Sequence, residues 1–211
     1  MVAAVVYLSV RTTRYAFTIT PQPMALFSRT SLITELLDRT ELLKANTQVF
    51  FRLTDEQLQY RPAPGKWSIA EIYGHLNLSM EANIRIILFR ISKAPDSLGD
   101  VYASGWLGDW VYSLIMPRSD GSVFRLKARK AECPDDQAEL DAREELEAFQ
   151  RHCDSLDDIL RHVASKDLRH IRIPFVLPRL VRLRLGVVLR FLVAHGERHL
   201  LQAQRLMSVV G

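Results

Sequence analysis

Four stretches of this chain carry apolar residues at intervals of three and four, and that period limits the available folds more than any single residue does. Between Ser31 and Phe51 the stripe runs through Ile33, Leu36, Leu37, Leu43, Phe50 and Phe51, with Thr40 and Thr47 in step, so a helix is predicted there. The second stretch has the clearest start. Ser68 stands three residues before Glu71, a capping-box spacing, and Trp67 and Ile72 are placed as a hydrophobic staple, so a helix should run from there to about Ile91. The third, from about Gln137 to Ser165, is amphipathic through Leu146, Phe149, Cys153, Leu156, Leu160 and Val163. Its acids gather toward the N-terminal half, where the helix dipole favours them. The fourth runs from Leu185 to about Val209.

The intervening segments are shorter or irregular. Thr54 and Gln57 have capping-box spacing for a brief helix over 55–60, which Pro62, Pro64 and Gly65 end. From Asp96 to Pro134 glycine and proline recur, and the apolar segment Trp106 to Met116 predicts one short helix inside a long excursion. The stretch Ile171 to Leu185 contains Pro174 and Pro178 and reads as a connector. Four long amphipathic segments, with one long crossover between the second and third, are the pattern of an all-α four-helix bundle. A 211-residue chain with 48% hydrophobic residues suits one well-filled core.

Residues 1–23 read as a poorly defined N-terminal extension, with the bundle domain spanning 24–211. The apolar run Val2 to Val10 is too short to cross a bilayer, lacks a preceding basic region and shows no clear cleavage site, so neither a membrane anchor nor a signal peptide is expected. The 2 cysteines, Cys133 and Cys153, are too few for a disulfide framework, which points to a reducing cytoplasm. Cys153 lies on an apolar stripe and reads as a core residue rather than a nucleophile. Charge is uneven. Arg169 to Arg190 holds six arginines and no acid, whereas Asp135 to Asp158 holds ten acids. The basic connector could bind a phosphate, an acidic cofactor or an anionic lipid, or could simply be a solvated face balanced by the third helix. The modest net charge of +4 and the lack of a recognisable module speak against nucleic acid.

The chemically informative residues interrupt the apolar stripe of the last helix. Val188, Phe191 and Leu192 are followed on the same face by His195, His199 and Gln202. Histidines four apart stack on one helical face within reach of one metal ion. His75, on the face of the second helix with Ile72, Ser79 and Ala82, offers a third nitrogen. Two histidines from one helix and one from another leave coordination positions open, the layout of a catalytic rather than a structural metal. The alternative is three separate histidines, each hydrogen-bonded in a polar core. His152, His162 and His170 lie among charged residues and read as solvated. Glu71, one turn before His75, and Gln202 are candidates to orient a ligand ring from the second shell. Glu197 falls on a different helical face from the pair and takes no role, and the loop of Asp109 cannot be placed.

The run P-A-P-G-K-W-S-I-A-E-I-Y-G-H-L at Pro62 to Leu76 resembles the helix-start motif of the DinB-like superfamily. L-R-F-L-V-A-H-G-E-R-H-L-L-Q-A-Q-R-L, Leu189 to Leu206, is similar to that superfamily's last-helix motif with its H-x-x-x-H pair. S-G-W-L-G-D-W at Ser104 to Trp110, followed by Met116-Pro117 and Asp120-Gly121, resembles one bacterial subgroup. The resemblance covers about Ser31 to Met207. It implies an up-down-down-up bundle with a divalent metal, nickel or zinc first and iron or manganese next, on His75, His195 and His199. Relatives include thiol S-transferases that use bacillithiol or mycothiol, and some members are thought to be metal-dependent hydrolases. The expected function is therefore transfer of a low-molecular-weight thiol to a small electrophilic substrate. The alternatives are hydrolysis at the same site, or a non-catalytic bundle that binds a ligand or partner through Trp106, Trp110 and the basic connector. No nucleic acid or membrane partner is expected, and a helical face left apolar would suit a homodimer.

Overall fold

The computed structural model describes residues 4–10, 13–19, 26–92, 94–97, 99–116, 132–134, 140–174 and 182–210. These form a mostly helical, all-α protein. In chain order the elements are β1 (Ala4–Val10), β2 (Thr13–Ile19), β3 (Leu26–Ser28), α1 (Arg29–Thr47), α2 (Asp55–Gln59), α3 (Ile69–Ile91), β4 (Val101–Ala103), α4 (Trp106–Ile115), α5 (Ala142–Val163), β5 (Arg172–Pro174), β6 (Arg182–Arg184) and α6 (Leu185–Val210).

Local chemistry explains the helix ends. The capping boxes form at both expected places: the Thr54 side chain accepts from the N–H of Gln57 and the Ser68 side chain from that of Glu71, with the reciprocal bonds present. The first helix ends earlier than its apolar stripe suggests, because residues 48–52 tighten into a 3-10 turn. The third long helix starts at Ala142 instead of about Gln137, capped by the Asp141 carboxylate, which accepts from Arg143 and Glu144 N–H. Residues 135–139, where the earlier start was expected, lie outside the described residues. The expected connector contains a small antiparallel hairpin of β5 and β6, with Ile173 and Leu183 turned inward and buried. Residues 4–10 and 13–19, in the segment read as a poorly defined extension, pair antiparallel with each other.

Among the four long helices, α5 packs against α1 and α3, and α6 against α1 and α3. Side-chain contacts give their directions. Asn77 donates to the Glu145 carbonyl near the starts of α3 and α5, while Ile91 and Ile159 line one groove near their ends, so these two run parallel. The Arg190 guanidinium lies 4.5 Å from the Phe27 ring centroid, and further on Arg39 reaches Glu197, so α1 and α6 also run parallel. The two pairs oppose each other, since Lys44, late in α1, meets Asp154 at 2.6 Å while Arg143, at the start of α5, donates to the Phe51 carbonyl. The core between them is built from one stripe of each helix. Tyr73 sits at its centre, edge-on to Phe149 at 5.1 Å and to Phe50 at 5.7 Å, with its hydroxyl 3.1 Å from that of Thr47. The Thr40 and Thr47 hydroxyls donate to carbonyls one turn back, which lets both threonines occupy the buried stripe.

The excursion after α3 is tied to the start of α1. β3 pairs with β4, and the Asp100 carboxylate accepts from the Ser28 hydroxyl and from the N–H and hydroxyl of Thr30. These bonds hold the Asp100 carboxyl down at about 2 from its ordinary 3.8. β4 and α4 then lie against the start of α6, and these contacts require glycine at two places. A Cβ on Gly186 would fall 2.5 Å from Cζ of Tyr102, and one on Gly108 2.4 Å from a methyl of Val187. Gly186→Ala is therefore expected to destabilise the protein by about 1–3 kcal/mol in denaturant titration, through overpacking against a buried ring.

The depressed carboxyl of Asp100 gives a second expectation, of defined sign. Its contribution to stability is present above the unfolded value near 4 and is lost as pH falls through about 2. The stability difference between the unaltered protein and Asp100→Asn, followed by thermal melts from pH 7 downward, should shrink across that window and vanish below it.

Candidate metal centre

α3 and α6 cross where each carries polar residues on its buried face. His75 is 3% exposed, His195 8% and His199 9%, and one nitrogen from each lies within 4.8 Å of the others. The spacing of four residues puts His195 and His199 on one helical face, edge to face with ring centroids 4.7 Å apart. His75 reaches across from α3, its Nε2 standing 3.2 Å from Nε2 of His195. Trp67 closes one side, 4.9 Å from the His75 ring and 6.3 Å from that of His199, and Phe191 stacks on His195 at 5.6 Å. Trp67 carries out two jobs, since it also occupies the staple position before the cap of α3.

Hydrogen bonds orient two of the rings. Nδ1 of His75 lies 2.6 Å from the Glu132 carbonyl oxygen, which can only accept, so Nδ1 carries the proton and donates. In a neutral ring that leaves Nε2 as a bare lone pair. His199 repeats the arrangement one turn from Gln202, with Nδ1 donating to Oε1 at 3.0 Å. His195 is held by packing: its Nδ1 is buried with no hydrogen-bond partner among the described residues. All three rings are kept neutral at physiological pH. Burial pushes His75 down against the opposing effect of the Glu132 carbonyl, holds His195 well below its ordinary range, and brings His199 to about 3. Neutral imidazole is the form that binds a metal.

The donor set fits a divalent ion. Two nitrogens held by one zinc at about 2.0–2.1 Å in tetrahedral geometry stand roughly 3.3 Å apart, close to the His75 to His195 separation. Two lone pairs aimed at a common point with a third imidazole beside them repel one another, and a cation relieves that repulsion. His75 and His199 each have a hydrogen-bond partner of their own, and the three rings nevertheless converge on one another.

The two residues expected to orient a ligand ring divide. Gln202 is in place on His199, but Glu71 is not on His75. The Glu71 carboxylate accepts from the Arg61 guanidinium at 2.8 and 2.5 Å and from the Ser68 N–H at 2.8 Å, so it belongs to the helix cap and an ion pair. The partner of His75 is instead the main chain at Glu132, 57 residues away, which has no side-chain signature in the sequence. Glu197 is bound by Arg39 through both oxygens, at 2.8 and 2.6 Å. Asp109 accepts from the Ser104 hydroxyl and lies 3.6 Å from Arg190, away from the histidines. His162 and His170 are exposed as expected, while His152 is half-buried with Nδ1 3.2 Å from Asn77 Oδ1. Cys153 is a fully buried core residue whose thiol is pushed up by burial.

A helical protein with three inward-facing imidazoles from two helices is thus the class that fold and site define. The chain belongs to the DinB superfamily, whose model matches residues 39–203, well over half of its length. No curated protein and no solved structure gives a significant match. No helix among the described residues is long and apolar enough to cross a membrane.

Because Gln202 fixes the tautomer of His199, Gln202→Leu should lower affinity for a divalent metal about 10–100-fold, measured by competition with a chromophoric chelator, while leaving the helical content unchanged.

Proposed function

We propose that this protein is a metal-dependent enzyme that transfers a low-molecular-weight thiol to an electrophilic substrate, with His75, His195 and His199 holding one divalent ion, nickel or zinc before iron or manganese. The observation that carries this reading is the convergence of three neutral imidazoles, two with their bare nitrogens set by hydrogen bonds, beside the rings of Trp67 and Phe191. A bound metal of this kind lowers the pKa of a coordinated thiol or water, supplying a nucleophile near neutral pH. The chain supplies the rest. Trp67 and Phe191 exclude water from the rings, and the carbonyl of Glu132 and the amide of Gln202 hold them in one orientation. Arg198 is half-buried, and its charge adds a smaller depression of His195 and His199 to that of burial and the neighbouring rings. A fixed positive charge there favours an anionic ligand such as a thiolate. In the reaction the thiol loses its proton, sulfur bonds to the electrophilic carbon, and the leaving group departs with its electron pair. The two cysteines form no disulfide, which supports a reducing cytoplasm as the setting.

Elemental analysis of protein purified without a chelating tag should find about one divalent ion per chain, lost in the His195→Ala/His199→Ala double variant. The loaded protein should then consume a thiol in the presence of an alkylating electrophile, and the double variant should not. Ester or amide turnover that needs the metal but no thiol would replace transfer by hydrolysis. Absence of metal from a folded, metal-supplemented sample would overturn both.

A further inference from the structure

A second feature of the chain has no part in the histidine site. The β5–β6 hairpin sets Arg172 directly across from Arg184, and Arg182 lies on the same face two residues away. Like charges directly opposite on paired strands destabilise a hairpin. Arg184 turns away to donate to the Ala103 carbonyl, but Arg172 and Arg182 remain exposed, and with Arg90 from the end of α3 they line one groove. Phe89, Ala94, Pro95, His170 and Ile171 complete it, with Ile171 buried.

Several arginines elsewhere are paired with carboxylates. Arg39 meets Glu197, Arg61 meets Glu71, Arg143 meets Asp55 and Arg151 meets Glu144. No carboxylate among the described residues lies within ion-pair distance of Arg90, Arg172 or Arg182. Asp167, the acid nearest in sequence to His170, is engaged by Arg169 at 2.8 Å and by His170 at 2.9 Å. Four acids of α5 are engaged elsewhere: Asp154 meets Lys44, Glu144 and Glu147 meet Arg151, and Glu145 accepts from Asn77. The residues between β5 and β6, 175–181, contain a further arginine, Arg179, and no acid. Local arrangements that cost stability without a compensating contact concentrate at functional sites.

We propose that this groove binds a phosphate group, with the guanidinium groups of Arg90, Arg172 and Arg182 as donors and Pro95 and Ile171 as an apolar wall beside it. Guanidinium forks match the oxygens of a phosphate, and three from two walls of one groove suit a phosphate ester or diphosphate better than a carboxylate. The site is separate from the histidine cluster. Arg90 lies fifteen residues beyond His75 on α3, about 22 Å along the helix axis.

The test is isothermal titration with inorganic pyrophosphate at fixed ionic strength, alongside flotation on vesicles of phosphatidylcholine with and without phosphatidic acid. The full chain should bind pyrophosphate, and Arg172→Gln/Arg182→Gln should weaken binding roughly tenfold or more, the size of one lost charge-assisted hydrogen bond. Arg90→Gln should do the same from the opposite wall. The thermal midpoint of the double variant in phosphate-free buffer should not fall, since the substitution removes like-charge repulsion at the Arg172–Arg184 pair; this separates a binding defect from misfolding. Binding to phosphatidic acid vesicles alone, lost in the same variants, would support the site and assign the phosphate to a lipid headgroup. Failure of both probes to bind, or binding by the variants as tight as by the unaltered protein, would overturn it.

Discussion

Burying three imidazoles side by side is the constraint on which this structure turns. Each ring brings two polar nitrogens into a region where an unpartnered polar group costs about 1–3 kcal/mol. The fold meets that demand for His75 and His199 by directing their outward-facing nitrogens to fixed acceptors, and it leaves Nδ1 of His195 buried with no partner among the described residues. The His75 to Glu132 hydrogen bond therefore does more than hold a loop. It decides which nitrogen of His75 is bare, and it ties the excursion after α4 back to the N-terminal half of α3.

The carboxylates nearest to the histidines in sequence are kept from them by arginines on other elements. Glu71 stands one turn from His75 and Glu197 lies between His195 and His199, and either could have made an ion pair with an imidazolium. Arg61 and Arg39 take them instead. With both acids engaged, burial outweighs the opposing pull of Glu132 on His75, and the rings stay neutral. The same pairings help to place α1 against α6 and the loop before α3 against its helix cap. Charge pairing outside the site and charge neutrality inside it are thus one arrangement.

Much of the helical framework could be read from local pattern. The start of α3 follows from Ser68 and Glu71, the start of α2 from Thr54 and Gln57, and α4 and α6 fall within a residue or so of where apolar spacing puts them. What escaped is short or depends on distant partners. Strands of three residues, such as β3 and β4, are too brief to show alternation, and they exist because each finds the other across more than seventy residues. Acids before Asp141 resemble a dipole-favoured first turn and predict a start for α5 near Gln137, whereas the cap forms on Asp141 itself. Glu71 was open to two readings, cap or ligand support, and the sequence holds nothing to choose between them until Arg61 is seen beside it.

The sequence by itself determined the helices, their buried stripes, and the placing of His195 and His199 on one helical face, because each depends on contacts within one helical turn and is encoded in residues three or four apart. It also marked His75 as a candidate third partner by placing an imidazole on the inner face of α3. Only the tertiary structure decided that Nε2 of His75 meets Nε2 of His195 across 120 residues, that a main-chain oxygen at Glu132 holds the ring, and that Arg90 faces the β5–β6 hairpin. Those contacts join segments far apart in the chain, and the packing of whole helices, which no local pattern encodes, sets the distances between them.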